Sequence, residues 1–118
     1  MLVAIAAVLL CAGAAASAAT VHKANSTAYC DRGDTAQQRP GGGAYQTGPG
    51  IAASNRHRLG TKIYVLGKGG PGGRHRWRIR DRIGWGSELD FWVPSCPYAE
   101  NVWGRRDVRY RIGWHLKN

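Results

Sequence analysis

"RHRWRIRD", residues 74–81, decides the fold. Its side chains alternate: Arg74, Arg76, Arg78 and Arg80 fall on one face, His75, Trp77, Ile79 and Asp81 on the other. A period of two belongs to a half-buried β-strand, because successive side chains point to opposite faces. Arginines belong in water and Trp77 and Ile79 in a core, which identifies the inner face. Asp81 lies on that inner face, away from the arginines that would neutralise it. A carboxylate there needs hydrogen bonds or a task. Either Asp81 caps the turn "RIGWG" (82–86) that follows it, or it is a working group of an active site.

Outward from this strand, "TKIYVLG" (61–67) reads as a second one, with Ile63 and Val65 on one face. "KGGPGG" (68–73) is the turn that joins the two as a hairpin. "STAYC" (26–30) is a further short strand, and "RPGGGAYQTGPG" (39–50) is a loop. In "ELDFWV" (88–93) Leu89, Phe91 and Val93 share one face, Asp90 and Trp92 the other. "PSCPYAENVWG" (94–104) predicts a short helix: Ser95 is its N-cap, Pro97 lies in its first turn and Gly104 ends it, with Tyr98, Val102 and Trp103 on one side. "DVRYRIGW" (107–114) closes as a strand with Val108, Tyr110 and Ile112 inward and Arg109 and Arg111 outward. Short strands, one short helix and glycine turns predict an all-β fold, a small β-barrel.

The 118 residues suffice for one small domain. The opening "MLVAIAAVLLCAGAAASAAT" passes from an apolar run to small residues with an Ala16-Ser17-Ala18 cleavage pattern. It reads as a secretory signal over residues 1–18, which leaves a domain over 19–118. Retention as an anchor is the alternative, because the usual positive start is missing. Leu10 before Cys11 argues against a lipoprotein signal. No second apolar run can span a bilayer, so no stable membrane insertion is expected after cleavage. Secretion means an oxidising compartment, where Cys30 and Cys96 most simply form one disulfide. With no Cys-x-x-Cys and scattered histidines, no zinc site and no cofactor are expected.

Seventeen basic residues, thirteen of them arginine, stand against seven acidic ones, for a net charge of +10. Arginine favours bidentate contacts to carboxylate or phosphate. The expected partner is an anionic polymer outside the cell, bound by a monomer. Nucleic acid is not expected, since no helix-turn-helix or RNA-binding motif is present.

The segments "TAYC", "GIAASNRHRLGTKIYV", "WRIRDRIG", "LDFWVPS" and "VRYRI", in this order and over nearly all of the expected mature chain, resemble the double-psi β-barrel domains of cell-wall proteins. They are most similar to the 3D (three-aspartate) domain, found in membrane-bound lytic transglycosylase A, and to the rare-lipoprotein-A-like domain. The resemblance implies a six-stranded double-psi β-barrel with one short helix. Asp81 matches the aspartate of the family's Asp-Thr-Gly or Asp-Arg-Gly element, and Asp90 the one that precedes apolar and aromatic residues and then a helix. The family's first aspartate would fall near "AASN" (52–55), where Ser54 and Asn55 stand instead. Arg58 replaces the proline usual before Leu59-Gly60-Thr61. The rare-lipoprotein-A-like pattern places a histidine at Ser54, and here His57 follows three residues later.

The resemblance further implies secretion and lytic cleavage of peptidoglycan glycan strands, in which the muramyl hydroxyl attacks the anomeric carbon and the protein supplies an acid, a base and charge stabilisation. The expected catalytic residues are Asp81 and Asp90. Asp90, between Leu89 and Phe91, is placed to be the proton donor and Asp81 the stabilising carboxylate, with the reverse assignment as the alternative. Trp85 and Trp92 are candidates to stack on sugars, Arg80 and Arg82 to hold peptide carboxylates, and Asn55 to contact substrate. Glu88 is expected to be a solvated turn residue and Asp107 a partner of Arg105 or Arg106. The missing first aspartate favours the alternative, a non-catalytic wall-binding module of expansin-like type.

Overall fold

The computed structural model describes residues 20–31, 46–84 and 86–114. Six strands close into a barrel: β1 (His22–Tyr29), β2 (Ile51–Ala53), β3 (Lys62–Val65), β4 (Arg76–Asp81), β5 (Leu89–Trp92) and β6 (Arg106–Ile112). Their order around the barrel is β1-β5-β2-β4-β3-β6. The pairs β1/β5 and β2/β4 are parallel and the rest antiparallel. This mixed, closed order is compatible with a double-psi barrel, and closure leaves no open sheet edge.

The alternation of residues 74–81 is realised as expected: Trp77, Ile79 and Asp81 are buried, Arg76 and Arg80 exposed. β3 pairs with β4 as the expected hairpin, and Ile63 and Val65 fill the core. Gly70 in its turn must be glycine, because a Cβ there would stand 2.8 Å from the Trp77 indole nitrogen. The first strand starts four residues earlier than "STAYC", because His22–Ser26 pair with β6 before Ser26–Tyr29 pair with β5.

Phe91 is the centre of the core. Its ring meets Trp77 at 4.6 Å and Trp103 edge-on at 5.7 Å, both favourable aromatic geometries. Trp103 arrives from the helical turn Tyr98–Trp103, which is π-helical and ends at Gly104 with φ 62°. Ser95 Oγ accepts from the Tyr98 N–H at 3.2 Å, the expected cap. The wider π turn, closed by Gly104 N–H to Ala99 C=O, changes the buried face. Ala99 is buried beside Trp103, while Val102, expected inward, is 58% exposed. Ile112 is also 40% exposed, because β6 reaches its last ladder pair there. Cys30 and Cys96 form the expected disulfide and tie the end of β1 to the start of this turn.

Candidate functional site

Asp81 and Asp90 come to the same stretch of the barrel through β2. Ile51 pairs with Arg78 and Ala52 with Ile79, but Ala53 pairs with Asp81, so a bulge skips Arg80. Bulges re-aim side chains in this way. On its other side Ala53 pairs with Asp90, and Asp90 with Thr27. A single row therefore runs Asp81–Ala53–Asp90–Thr27 across four strands. Two strand spacings put the aspartate backbones about 10 Å apart.

The two acids have different surroundings. Asp81 is 4% exposed. Its Oδ1 accepts from the Arg82 N–H at 2.7 Å and its Oδ2 from the Gln46 N–H at 3.1 Å. The Gln46 carbonyl in turn accepts from the Tyr29 hydroxyl at 2.8 Å. Asp81 thus caps the turn that follows it and fastens the strand leading into β2. Asp90 is only partly buried, and its Oδ1 accepts from the Thr27 hydroxyl at 3.0 Å. Ser87 Oγ stands 2.7 Å from Thr27 Oγ1 and donates to the Leu89 carbonyl at 3.2 Å. Burial pushes Asp90 up to about 6, against the opposing pull of the Thr27 hydrogen bond and the Arg105 charge. A carboxyl with that value holds or releases a proton near neutrality.

Trp92 lies on the same strand face as Asp90, about 7 Å further along. Its indole N–H donates to Asp31 Oδ1 at 2.9 Å. With Tyr98, Pro49, Pro71 and Pro94 it lines an apolar groove of about 470 Å³. Trp85 lies outside the described residues, as does the segment 1–19. Asn55 uses both ends of its amide on the Ile83 backbone, accepting at 3.0 Å and donating at 2.7 Å. Arg82 reaches back to the carbonyls of Ser54 at 2.9 Å and His57 at 2.5 Å. These two side chains hold the 54–57 loop against the turn after β4. Arg80 projects outward from β4.

His57 Nε2 lies 2.7 Å from the Tyr110 hydroxyl. Burial, His22 and Arg56 hold the imidazole below its usual range. Glu88 is an exposed turn residue, as expected, and it also carries contacts. It accepts from the Asn25 N–H at 2.9 Å and pairs with Arg56 at 2.7 Å, joining β1 to the 54–57 loop. Asp107 pairs with Lys23, not with Arg105 or Arg106. Thr27, Ser87 and Asp31 were not singled out by the sequence, because the parallel β1/β5 register that brings them to Asp90 and Trp92 leaves no mark within either strand.

No protein-family model matches the chain, and no match is found among curated proteins.

Proposed function

We propose that the protein is a secreted, cell-wall-active double-psi barrel that cleaves peptidoglycan glycan strands by lytic transglycosylation, with Asp90 as the acid. One observation carries this reading: a partly buried carboxyl raised to about 6 accepts from the Thr27 hydroxyl, and Trp92, two residues further along β5, lines an apolar groove. Asp90 protonates the glycosidic oxygen as the bond to the anomeric carbon breaks. The carboxylate so formed takes the proton of the muramyl hydroxyl as that oxygen closes on the same carbon, which returns Asp90 to its starting state. Asp81, fixed by two backbone N–H groups, contributes a stationary negative charge near the oxocarbenium-like centre. Trp92 and Tyr98 supply apolar surface for sugar faces in the groove. The test is product analysis on purified sacculi: anhydromuramyl ends support the reading, and intact strands at every pH tried would overturn it.

A second reading has its own support. Both Asp81 oxygens accept from backbone donors, so of the aspartate pair only Asp90 is accessible, where ordinary hydrolysis uses two carboxyls. This favours a binding module of expansin-like type on the same groove, which would retain sacculi without shortening strands.

A further inference from the structure

The outward arginines of residues 74–80 border a groove that adjoins the apolar one at Pro49, Gly50 and Arg74, and Arg76, Arg78 and Arg80 have no part in the proposed chemistry. On β4, Arg76 stands opposite Tyr64 of β3, which stands opposite Arg111 of β6. In the next row Arg78 stands opposite Lys62. Arg74, Arg76, Arg78 and Arg80 line a groove of about 420 Å³ together with Gly50 and Trp114. A second hollow of about 530 Å³, between Lys62, Arg76 and Trp114, continues it across β3. Among the described residues the guanidinium groups of these four arginines make no hydrogen bond or ion pair, though those of Arg74 and Arg78 lie over Trp77 and Trp114. The Arg111 Nε, shielded from water, also lacks an acceptor. No acid lies on β3, and the one on β4, Asp81, is buried on the inner face. Among the described residues the ion pairs Arg56–Glu88 and Lys23–Asp107 involve neither β3 nor the outward arginines of β4.

We propose that this face is a track for a linear phosphodiester polymer without bases, a polyol-phosphate chain. Outward residues on a strand recur about every 7 Å, so Arg76, Arg78 and Arg80 of β4, with Arg74 just before it, present a line of forked donors. An extended phosphodiester chain with a short polyol spacer repeats its charge on a comparable length, and each phosphate offers the paired oxygens that a guanidinium matches. Nucleic acid would also bring phosphates, but single-strand binders add free aromatic faces for the bases. Here the rings are engaged. Trp114 carries Arg78 at 5.1 Å and Lys62 at 5.0 Å, and its N–H is held by the Ile63 and Trp77 carbonyls. Tyr64 stacks on His75 at 5.0 Å. The face is built to read backbone charge. Arg82 takes no part, being turned to the 54–57 loop. This proposal does not rest on glycan cleavage.

The test is fluorescence anisotropy of the purified protein with labelled synthetic poly(glycerol phosphate), compared with oligothymidylate and polyglutamate of equal charge. Four contacts predict a log–log salt slope of about −3 between about 50 and 200 mM salt. The double variant Arg76→Gln/Arg78→Gln should weaken binding at least about tenfold and flatten the slope by about 1.4, with an unchanged circular dichroism spectrum. Lys68→Gln, in the β3–β4 turn, should change binding less than about twofold. Four results would overturn the proposal: no binding at low salt, equal affinity for polyglutamate, tighter binding of oligothymidylate, or a double variant that binds as the parent does. Because no bond is cleaved in this assay, its outcome is independent of the sacculus experiment.

Discussion

Thr27 donates its hydroxyl to Asp90 at 3.0 Å across the parallel β1/β5 pair, and this bond, with the Arg105 charge, offsets part of the burial that favours the neutral carboxyl. Burial raises Asp90 while the Thr27 bond lowers it, and the balance falls at about 6. Thr27→Val keeps the shape and removes the donor. The Asp90 titration midpoint should then move upward by the worth of one hydrogen bond, about 1 kcal/mol. Carboxyl-carbon NMR across pH measures it directly. A midpoint that stays put or falls would show that the hydroxyl is directed elsewhere, toward Ser87.

Asp90→Asn should separate stability from activity. The folded carboxyl titrates at about 6 and its ordinary value is 3.8, so the folded state binds more protons in that window. Stability of the parent therefore falls as pH rises through the window and is level above it. The variant has no such charge to bury. It should be more stable than the parent by about 1–3 kcal/mol at pH near 7.5, with the difference vanishing below about pH 4. Urea unfolding at both pH values checks this, and parallel pH curves would contradict it. Lytic turnover should fall about 100-fold or more in the same variant.

Asp81→Asn should have the opposite sign. Two N–H groups, from Arg82 and Gln46, point at the two carboxylate oxygens. An amide offers one oxygen and sets an NH₂ group against the second donor, so the variant should lose about 1–3 kcal/mol at neutral pH. Wall activity, corrected for folded fraction, should fall less than in Asp90→Asn. Asp107→Asn is the suitable control, since Asp107 is exposed and pairs only with exposed groups. Glu88 is unsuitable because it links β1 to the 54–57 loop.

The strand alternation, the hairpin, the disulfide and the inward Asp81 were legible in the sequence because they follow from local periodicity, turn chemistry and the presence of two cysteines after the opening apolar run. The Asp81–Ala53–Asp90–Thr27 row was not. It depends on a bulge at Ala53 and on a parallel pairing between segments about sixty residues apart, neither of which alters the pattern of one strand. Asn55 and Arg82 looked like contact residues because they are polar and near the motif, yet the fold turns both onto backbone carbonyls and amides. Val102 misled for a different reason: a 3.6-residue period was assumed where the chain winds a wider turn.

Replacing Cys30 and Cys96 with serine should lower stability by about 4 kcal/mol, the chain-entropy value for a crosslink across 66 residues. The loss should appear equally when the parent is unfolded under reducing conditions. Stability insensitive to reductant would mean that the crosslink does not restrict the unfolded chain as that model requires.

The last prediction concerns the buried polar pair that seats the helical turn on the barrel. Ser26 is fully buried in β1, where its hydroxyl donates to the Arg106 carbonyl at 2.8 Å and accepts from the Trp103 indole N–H at 3.2 Å. Ser26→Ala leaves that N–H in the core without an acceptor and should cost about 1–3 kcal/mol. Trp103→Phe removes the donor together with part of the buried ring, and costs a similar amount through lost packing. Once the indole N–H is gone, however, removing the Ser26 hydroxyl strands only the Arg106 carbonyl. The double variant should therefore be less destabilised than the sum of the singles by about 1 kcal/mol. Strict additivity in urea unfolding would show that the turn is seated by apolar packing on Phe91 alone.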